Sequence, residues 1–263
     1  MVESAYTRDS KSRGGNSIRV QVPSPPTFNQ TEHHGVGDLL VYERFGSGVK
    51  KEVRPFLTIL TRCHYRTNEL ENNIKALNLQ SDPDFQQIFF VDTKGSCYGR
   101  CGDVFDMFGR ELIKGIFVYV LDDDNFVIDN ELIQDLKQRL VKEIFNIAII
   151  KSIIENRAFP LGFHLRELLL HDSTNLMAAR PIALRNLQWF GKGKHKITCP
   201  SDQAYNDRVI KTSGATIYWR DKISVLSTKL GFKAGSASLQ EMIKFMNKNA
   251  TFVNSYNLPE EFE

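Results

Sequence analysis

Apolar residues in this chain cluster into short runs that polar segments separate at regular intervals. Phe56-Leu-Thr-Ile-Leu60, Gln87-Ile-Phe-Phe-Val91 and Ile116-Phe-Val-Tyr-Val-Leu121 have the length and the β-branched and aromatic content of buried strands. Between them the period changes. Thr67 to Leu79 places Leu70, Asn73, Ile74 and Leu77 on one side of a helix, and Val104 to Ile113 fits a second helix. Strand–helix alternation implies right-handed crossovers, and runs apolar on both faces imply strands covered on both sides. The expected fold class is α/β, a mostly parallel central sheet flanked by helices.

Further along, the pattern predicts a helix over Asn130 to Leu140 and a strand over Phe145 to Ile150, closed by Pro160. It then predicts helices over Ile182 to Trp189, Asp202 to Lys211 and Ser238 to Asn247, with a short strand at Thr216 to Trp219. A short strand at Leu39 to Tyr42 precedes the turn Gly46-Ser-Gly48. Residues 1–35 carry Ser, Gly, Pro and charge without apolar periodicity, as in Pro23-Ser-Pro-Pro26, and are expected to be a flexible or extended arm. Residues 36–263 are expected to form a single domain.

Composition narrows the class without naming a function. The 263 residues are 41% hydrophobic and 25% charged, ordinary for a globular protein. A net charge of +3 does not demand a nucleic-acid partner, and none is expected. No apolar stretch approaches the roughly 20 residues that span a bilayer, and Met1 to Gln30 lacks the apolar core of a signal peptide. Cys63, Cys97, Cys101 and Cys199 complete no zinc pattern and are expected to be reduced thiols. Two Asn-x-Thr strings, at Asn29 and Asn249, are ascribed to chance. A cytoplasmic location is expected, with peripheral association with a membrane left open.

The chemistry concentrates at Asp122-Asp123-Asp124, directly after the third apolar run. Ligands of such sheets bind outside the carboxyl ends of the strands. Adjacent carboxylates repel one another, and burial raises that cost, so a cluster there suggests a divalent cation with oxygen ligands. The competing reading is an acidic turn ahead of the next helix. Thr61, Arg62, Arg66 and Asp92 also lie at or just beyond predicted strand ends. Singly, each could be an ordinary turn former or surface side chain.

Arg54-Pro-Phe-Leu-Thr-Ile-Leu-Thr-Arg62, the helix with Leu70 and Asn73-Ile74, Gln87-Ile-Phe-Phe-Val-Asp92 and Tyr119-Val-Leu-Asp-Asp-Asp-Asn125 together resemble the donor-binding half of a nucleotide-diphospho-sugar glycosyltransferase with the GT-A fold, most closely the family 2 type. The resemblance is specific over residues 54–135, the donor-binding half, and looser over 136–240 within the acceptor half, 136–263; it does not cover the N-terminal arm. It implies a metal-dependent glycosyltransferase that moves a sugar from a nucleotide-diphospho-sugar, a UDP-sugar first, to a glycan, lipid-linked or protein acceptor.

Residue by residue, the resemblance places Thr61, Arg62, Arg66, Asp92, Asp122 and Asp123 at the donor nucleotide. Mn²⁺ or Mg²⁺ would be held by Asp122 and Asp124, or by Asp123 and Asp124 in the shorter register; Asp124 serves in both. It also implies an acidic catalytic residue near a helix start in the second half. Asp202, in Cys199-Pro-Ser-Asp-Gln-Ala-Tyr-Asn206, matches best and Asp207 is the substitute; the alternative for Asp202 is a helix cap.

Two features stay outside the site. Gly191-Lys-Gly-Lys-His-Lys196 lacks phosphate-loop spacing and is expected to be a solvated loop, while His164, His171 and His195 are left out of the metal set. The alternatives are a sugar-1-phosphate nucleotidyltransferase, which would want glycine in Thr61-Arg-Cys-His-Tyr-Arg66, and a non-catalytic nucleotide-sugar or cation-binding module.

Overall fold

In a computed structural model, the described residues are 38–93, 109–154, 156–161, 173–187, 201–228 and 235–257. Among them, ten strands form one sheet. In chain order they are β1 (Asp38–Phe45), β2 (Leu57–Cys63), β3 (Phe85–Asp92), β4 (Phe117–Val120), β5 (Asn125–Val127), β6 (Ile147–Ile154), β7 (Arg157–Phe159), β8 (Leu176–Ala179), β9 (Ile217–Ser227) and β10 (Thr251–Asn257). The helices are α1 (Thr67–Asn78), α2 (Gly109–Leu112), α3 (Leu132–Lys142), α4 (Arg180–Asn186), α5 (Ser201–Ile210) and α6 (Leu239–Asn249). The basic loop 191–196, the three histidines and Cys97, Cys101 and Cys199 lie outside the described residues.

The sheet runs β10-β1-β3-β2-β4-β8-β6-β9-β5, with β7 paired to β6. The expected α/β class holds, but the sheet is mixed rather than mostly parallel. Pairing is parallel between β2 and β3, β2 and β4, and β6 and β9. Antiparallel β8 enters between β4 and β6, and β1 and β10 extend the far edge antiparallel. Because β8 opposes both its neighbours, β6 still points the same way as β4. The carboxyl ends of β2, β4, β6 and β9 therefore share one edge.

Alternation along the central strands divides the core. Val118 and Val120 face Ile147, Ile149, Ile182 of α4 and Tyr205 and Val209 of α5. Phe117, Tyr119 and Leu121 face Leu77 of α1 and Leu132, Ile133 and Leu136 of α3. A third cluster packs Leu70 and Ile74 of α1 and Met242 and Met246 of α6 against β1 and β3. Burying such side chains gains about 1.5–3 kcal/mol each, so two covered faces explain the continuous apolar runs. Ser238 caps α6 in a reciprocal pair with Glu241. No described helix is long and apolar enough to cross a membrane.

Candidate active site at the carboxyl edge of the sheet

β2 and β4 lie side by side, and the hydrogen bond from Leu121 N to Leu60 O (3.0 Å) continues their ladder to the sheet edge. Beyond it, each chain carries charge. Arg62 grips Asp122 with a two-pronged contact, Nε to Oδ1 at 2.6 Å and Nη2 to Oδ2 at 2.5 Å. Such forks are the strong, geometrically specific form of the ion pair. Asp123 is fully buried; it accepts the His64 backbone N–H at 2.6 Å and Arg66 Nη1 at 3.3 Å. Arg66 Nη1 also reaches Asp124 Oδ2 at 2.7 Å. Three carboxylates thus converge on two guanidinium groups.

The balance of burial and charge separates the carboxyls. Burial pushes Asp122 upward, but the charge and hydrogen bonds of Arg62, helped by His64 and Arg66, outweigh it and hold Asp122 below the usual carboxylate range. Asp124 goes the other way. Burial, then the neighbouring charges of Asp122 and Asp123, raise it to about 6 against the pull of Arg66 and His64. A strongly perturbed carboxyl at a strand end is a candidate for a functional site.

A buried amide relay fixes the acidic turn, which Asn125 N closes onto Asp122 O at 3.1 Å. Asn73 of α1 donates to the backbone oxygens of Asp122 (3.2 Å) and Asn125 (2.7 Å). Its own side-chain oxygen accepts from Gln87 Nε2 at 2.9 Å, and Gln87 also donates to the Thr61 hydroxyl at 2.9 Å. Arg44 completes the chain by donating to Gln87 Oε1 at 2.8 Å, and burial lowers its guanidinium to about 10. From the other side, Thr228 at the end of β9 donates its N–H and hydroxyl to Asp124 O.

The turn between β2 and α1 is equally constrained. Tyr65 has φ +63, a left-handed conformation that costs a non-glycine residue of order 1–3 kcal/mol. It is held there by its hydroxyl, which donates to Asp92 O at 2.5 Å, and by Ala237 N, which donates to Tyr65 O at 3.2 Å. Gly235 N donates to His64 O at 2.6 Å, and a Cβ at Gly235 would lie 1.8 Å from Tyr65 O, so only glycine fits.

The structure therefore brings Arg62, Arg66 and Asp122 to Asp124 into one cluster. Thr61 joins it through Gln87 and Asn73. Asp92 is fully buried at the end of β3 and joins through Tyr65. Asp202 lies in the first turn of the ten-residue α5, but its side chain lies outside the described ones. Asp207, the substitute, pairs with Lys211 one turn on, at 2.7 Å. His64, Tyr65, Asn73, Gln87, Thr228 and Gly235 belong to the site without having been singled out for it.

As a metal centre the cluster fits in part. Among the described residues, no group of three His, Cys, Asp or Glu is arranged to hold a metal ion. Both oxygens of Asp122 are taken by Arg62, so Asp122 could serve as a ligand only by sharing them. Asp124 offers Oδ1 beside the oxygen that Arg66 holds, and it retains slight solvent exposure. One carboxylate ligand is available as the side chains stand.

No family model matches the chain, and no curated protein matches it by sequence. Solved structures do match. S. aureus TarS 1-349 superimposes with a TM-score of 0.50 at 12% identity, over 66% of this chain and 60% of that one. The same protein in complex with UDP-GlcNAc gives 0.51 at 12% identity, over 73% and 65%. The fold is the GT-A glycosyltransferase fold. At this identity the likeness speaks for the fold, and the chain spans less than two thirds of the TarS 1-349 chain.

Proposed function

We propose that this chain is a metal-dependent glycosyltransferase that moves a sugar from a nucleotide-diphospho-sugar, a UDP-sugar first, to an acceptor hydroxyl. The observation that carries the reading is the cluster at the end of β4, where three carboxylates meet two guanidinium groups and Asp124 is left with a raised pKa. A cation is the complement of that surplus. TarS, which shares the fold, is known in complexes with UDP and with UDP-GlcNAc.

In this reading Asp124 would hold Mn²⁺ or Mg²⁺, which when bound supplies positive charge for the departing nucleotide diphosphate. The chain's own residues do the rest. Arg62 fixes Asp122, Arg66 links Asp123 to Asp124, and Asn73 holds the turn that carries all three. Asp92, on the third strand of the shared edge, serves the nucleoside end of the donor. Asp202 accepts the proton of the acceptor hydroxyl as its oxygen bonds to the anomeric carbon; the bond from that carbon to the phosphate oxygen breaks, and its electron pair leaves with the nucleotide diphosphate. A cytoplasmic setting accompanies the proposal, and Cys63 is a buried cysteine in no disulfide.

The test is sugar release and transfer from a panel of UDP-sugars with Mn²⁺. Turnover should disappear in EDTA and return with added metal. Asp202→Asn, which keeps a capping side chain, should lose about 10²–10⁴ in rate while nucleotide affinity stays. Full turnover in EDTA removes the metal from the proposal, and unchanged transfer by Asp202→Asn leaves that residue a cap.

A further inference from the structure

A second concave site opens along the middle of β6 and the first half of β9. A cavity of about 150 Å³ lies between Ile149 and Lys151 of β6, Pro160 and Leu161 after β7, and Trp219 and Asp221 of β9. Its polar rim comes from a break in the ladder. The register of β6 against β9 passes from Ile150↔Arg220 to Lys151↔Ile223, so Asp221 and Lys222 are extra residues in a bulge. Bulges re-aim side chains, often beside active sites. Here the two extra residues go opposite ways. Asp221 pairs with Lys151 at the cavity. Lys222, together with Arg220, is held from behind by Asp129, Asp135 and Glu131. The rim is therefore backed by a fixed ionic frame, the support that a binding site needs.

The cavity stands level with the acidic cluster. Tyr119, Met177, Ala148 and Tyr218 are paired in one row across β4, β8, β6 and β9. Counting forward from this row in the same direction, Lys151 is as far along β6 as Asp122 is beyond Tyr119. Two strand spacings separate those chains, roughly 10 Å, and a third brings β9 to roughly 14 Å. Ile149 and Trp219 face the same side of the sheet as Tyr205 and Val209 of α5, the helix whose first turn carries Asp202.

Size and lining select the ligand. About 150 Å³ is the volume of a cavity that admits one six-membered ring, and it is half the roughly 300 Å³ at which pockets for larger ligands begin. A nucleotide does not fit; a single pyranose does. An indole ring with Leu161 and Pro160 suits the C–H faces of a sugar, and a carboxylate–ammonium pair at the rim suits its hydroxyls. An exposed pair of this kind contributes little to stability, which leaves its hydrogen-bonding capacity for a ligand.

We infer that the cavity bounded by Trp219, Lys151 and Asp221 is a saccharide subsite that takes one pyranose ring of the acceptor. The assignment to the acceptor rests on the proposed glycosyltransferase function; the saccharide site itself does not. The chain has two tryptophans, so Trp189→Phe leaves the emission of Trp219 to report the cavity. Titration with glucose, galactose, mannose and N-acetylglucosamine, free and as disaccharides, should give a saturable change for at least one of them. In a Lys151→Met, Asp221→Asn background the half-saturation concentration should rise about tenfold or more, the effect of losing hydrogen bonds to charged groups.

No saturable change with any sugar, or the same curve in the rim variant, overturns the inference. If Trp189→Phe does not fold, fluorotryptophan in the wild-type chain gives two fluorine signals, and Trp219→Phe assigns the one to follow. UDP with Mn²⁺, titrated into the same protein, reports the donor site separately. UDP binding without pyranose binding removes the subsite and leaves the proposed function standing; pyranose binding without UDP binding supports the saccharide site and removes its link to transfer.

Discussion

Two ionic clusters, the acidic turn and a second one just after it, have similar charges and different consequences. At the carboxyl edge, Asp122, Asp123 and Asp124 face Arg62 and Arg66. A few residues later, Asp129, Glu131 and Asp135 face Arg220 and Lys222. Each is three carboxylates against two cations. In the second, Asp135, Glu131 and Lys222 are largely in solvent, and water disperses the surplus. Burial raises Asp129, but Lys222 and Arg220 outweigh it and hold Asp129 below the usual range. In the first, all three carboxylates are adjacent and mostly buried, and the surplus stays on Asp124. Charge inventory does not distinguish a frame from a site; adjacency and burial do.

The largest effect expected from this contrast is on stability. Arg220 is almost fully buried between Asp129 and Asp135, both at 2.5 Å. Arg220→Met takes the buried cation from Asp129 and leaves it the half-exposed Lys222, so the cost is expected at the low end of the about 3–5 kcal/mol of a broken buried pair. Denaturant unfolding should show that loss while UDP affinity in the folded protein is unchanged. A variant of wild-type stability that has lost UDP would make the second cluster part of the donor site and erase the contrast.

A smaller effect of opposite sign belongs to Asp124. A carboxyl whose folded pKa lies above its unfolded one favours folding while protonated, and that contribution is lost as pH rises through about 6. Without metal, Asp124→Asn should therefore be more stable than the wild type at pH 8, by on the order of 2 kcal/mol. The gain should fade as pH drops below 6. Equal melting temperatures at pH 8 would mean that Arg66 already neutralises Asp124. Asn73→Ala should cost least, about 1–2 kcal/mol, because it removes the amide hydrogen bonds to the backbone oxygens of Asp122 and Asn125. If the relay sets the shape of the turn, UDP affinity measured by calorimetry falls with it; unchanged affinity would make the relay purely structural.

The contrast was half visible in the sequence. β2, α1, β3 and β4 follow from buried runs and helical spacing because both faces of these strands are covered, so the apolar signal is continuous. Asn125–Val127, Arg157–Phe159 and Leu176–Ala179 are three or four residues long, too short for any period to register. Missing Leu176–Ala179 had the largest consequence, since β8 puts antiparallel pairing into the centre of the sheet, between β4 and β6. In the site, the carboxylates and arginines were legible from residue type and strand ends. Their pairing was not. Thr228 and Gly235 reach the cluster from more than a hundred residues away in sequence, and the left-handed backbone of Tyr65 leaves no mark on residue type. Asn73 was placed on the inner side of α1, but only the fold shows that its amide is the keystone of the acidic turn.

In the proposed function, the surplus carboxylate at the end of β4 takes a cation carried with a nucleotide diphosphate. The most direct measurement is the melting temperature of the wild-type chain and of Asp124→Ala with UDP, GDP, dTDP and CMP, each with and without Mn²⁺. The melting temperature of the wild type should rise with UDP plus Mn²⁺ by more than UDP and Mn²⁺ give separately, and Asp124→Ala should lose that excess. Additive shifts in the wild type, or the same synergy in Asp124→Ala, would contradict it.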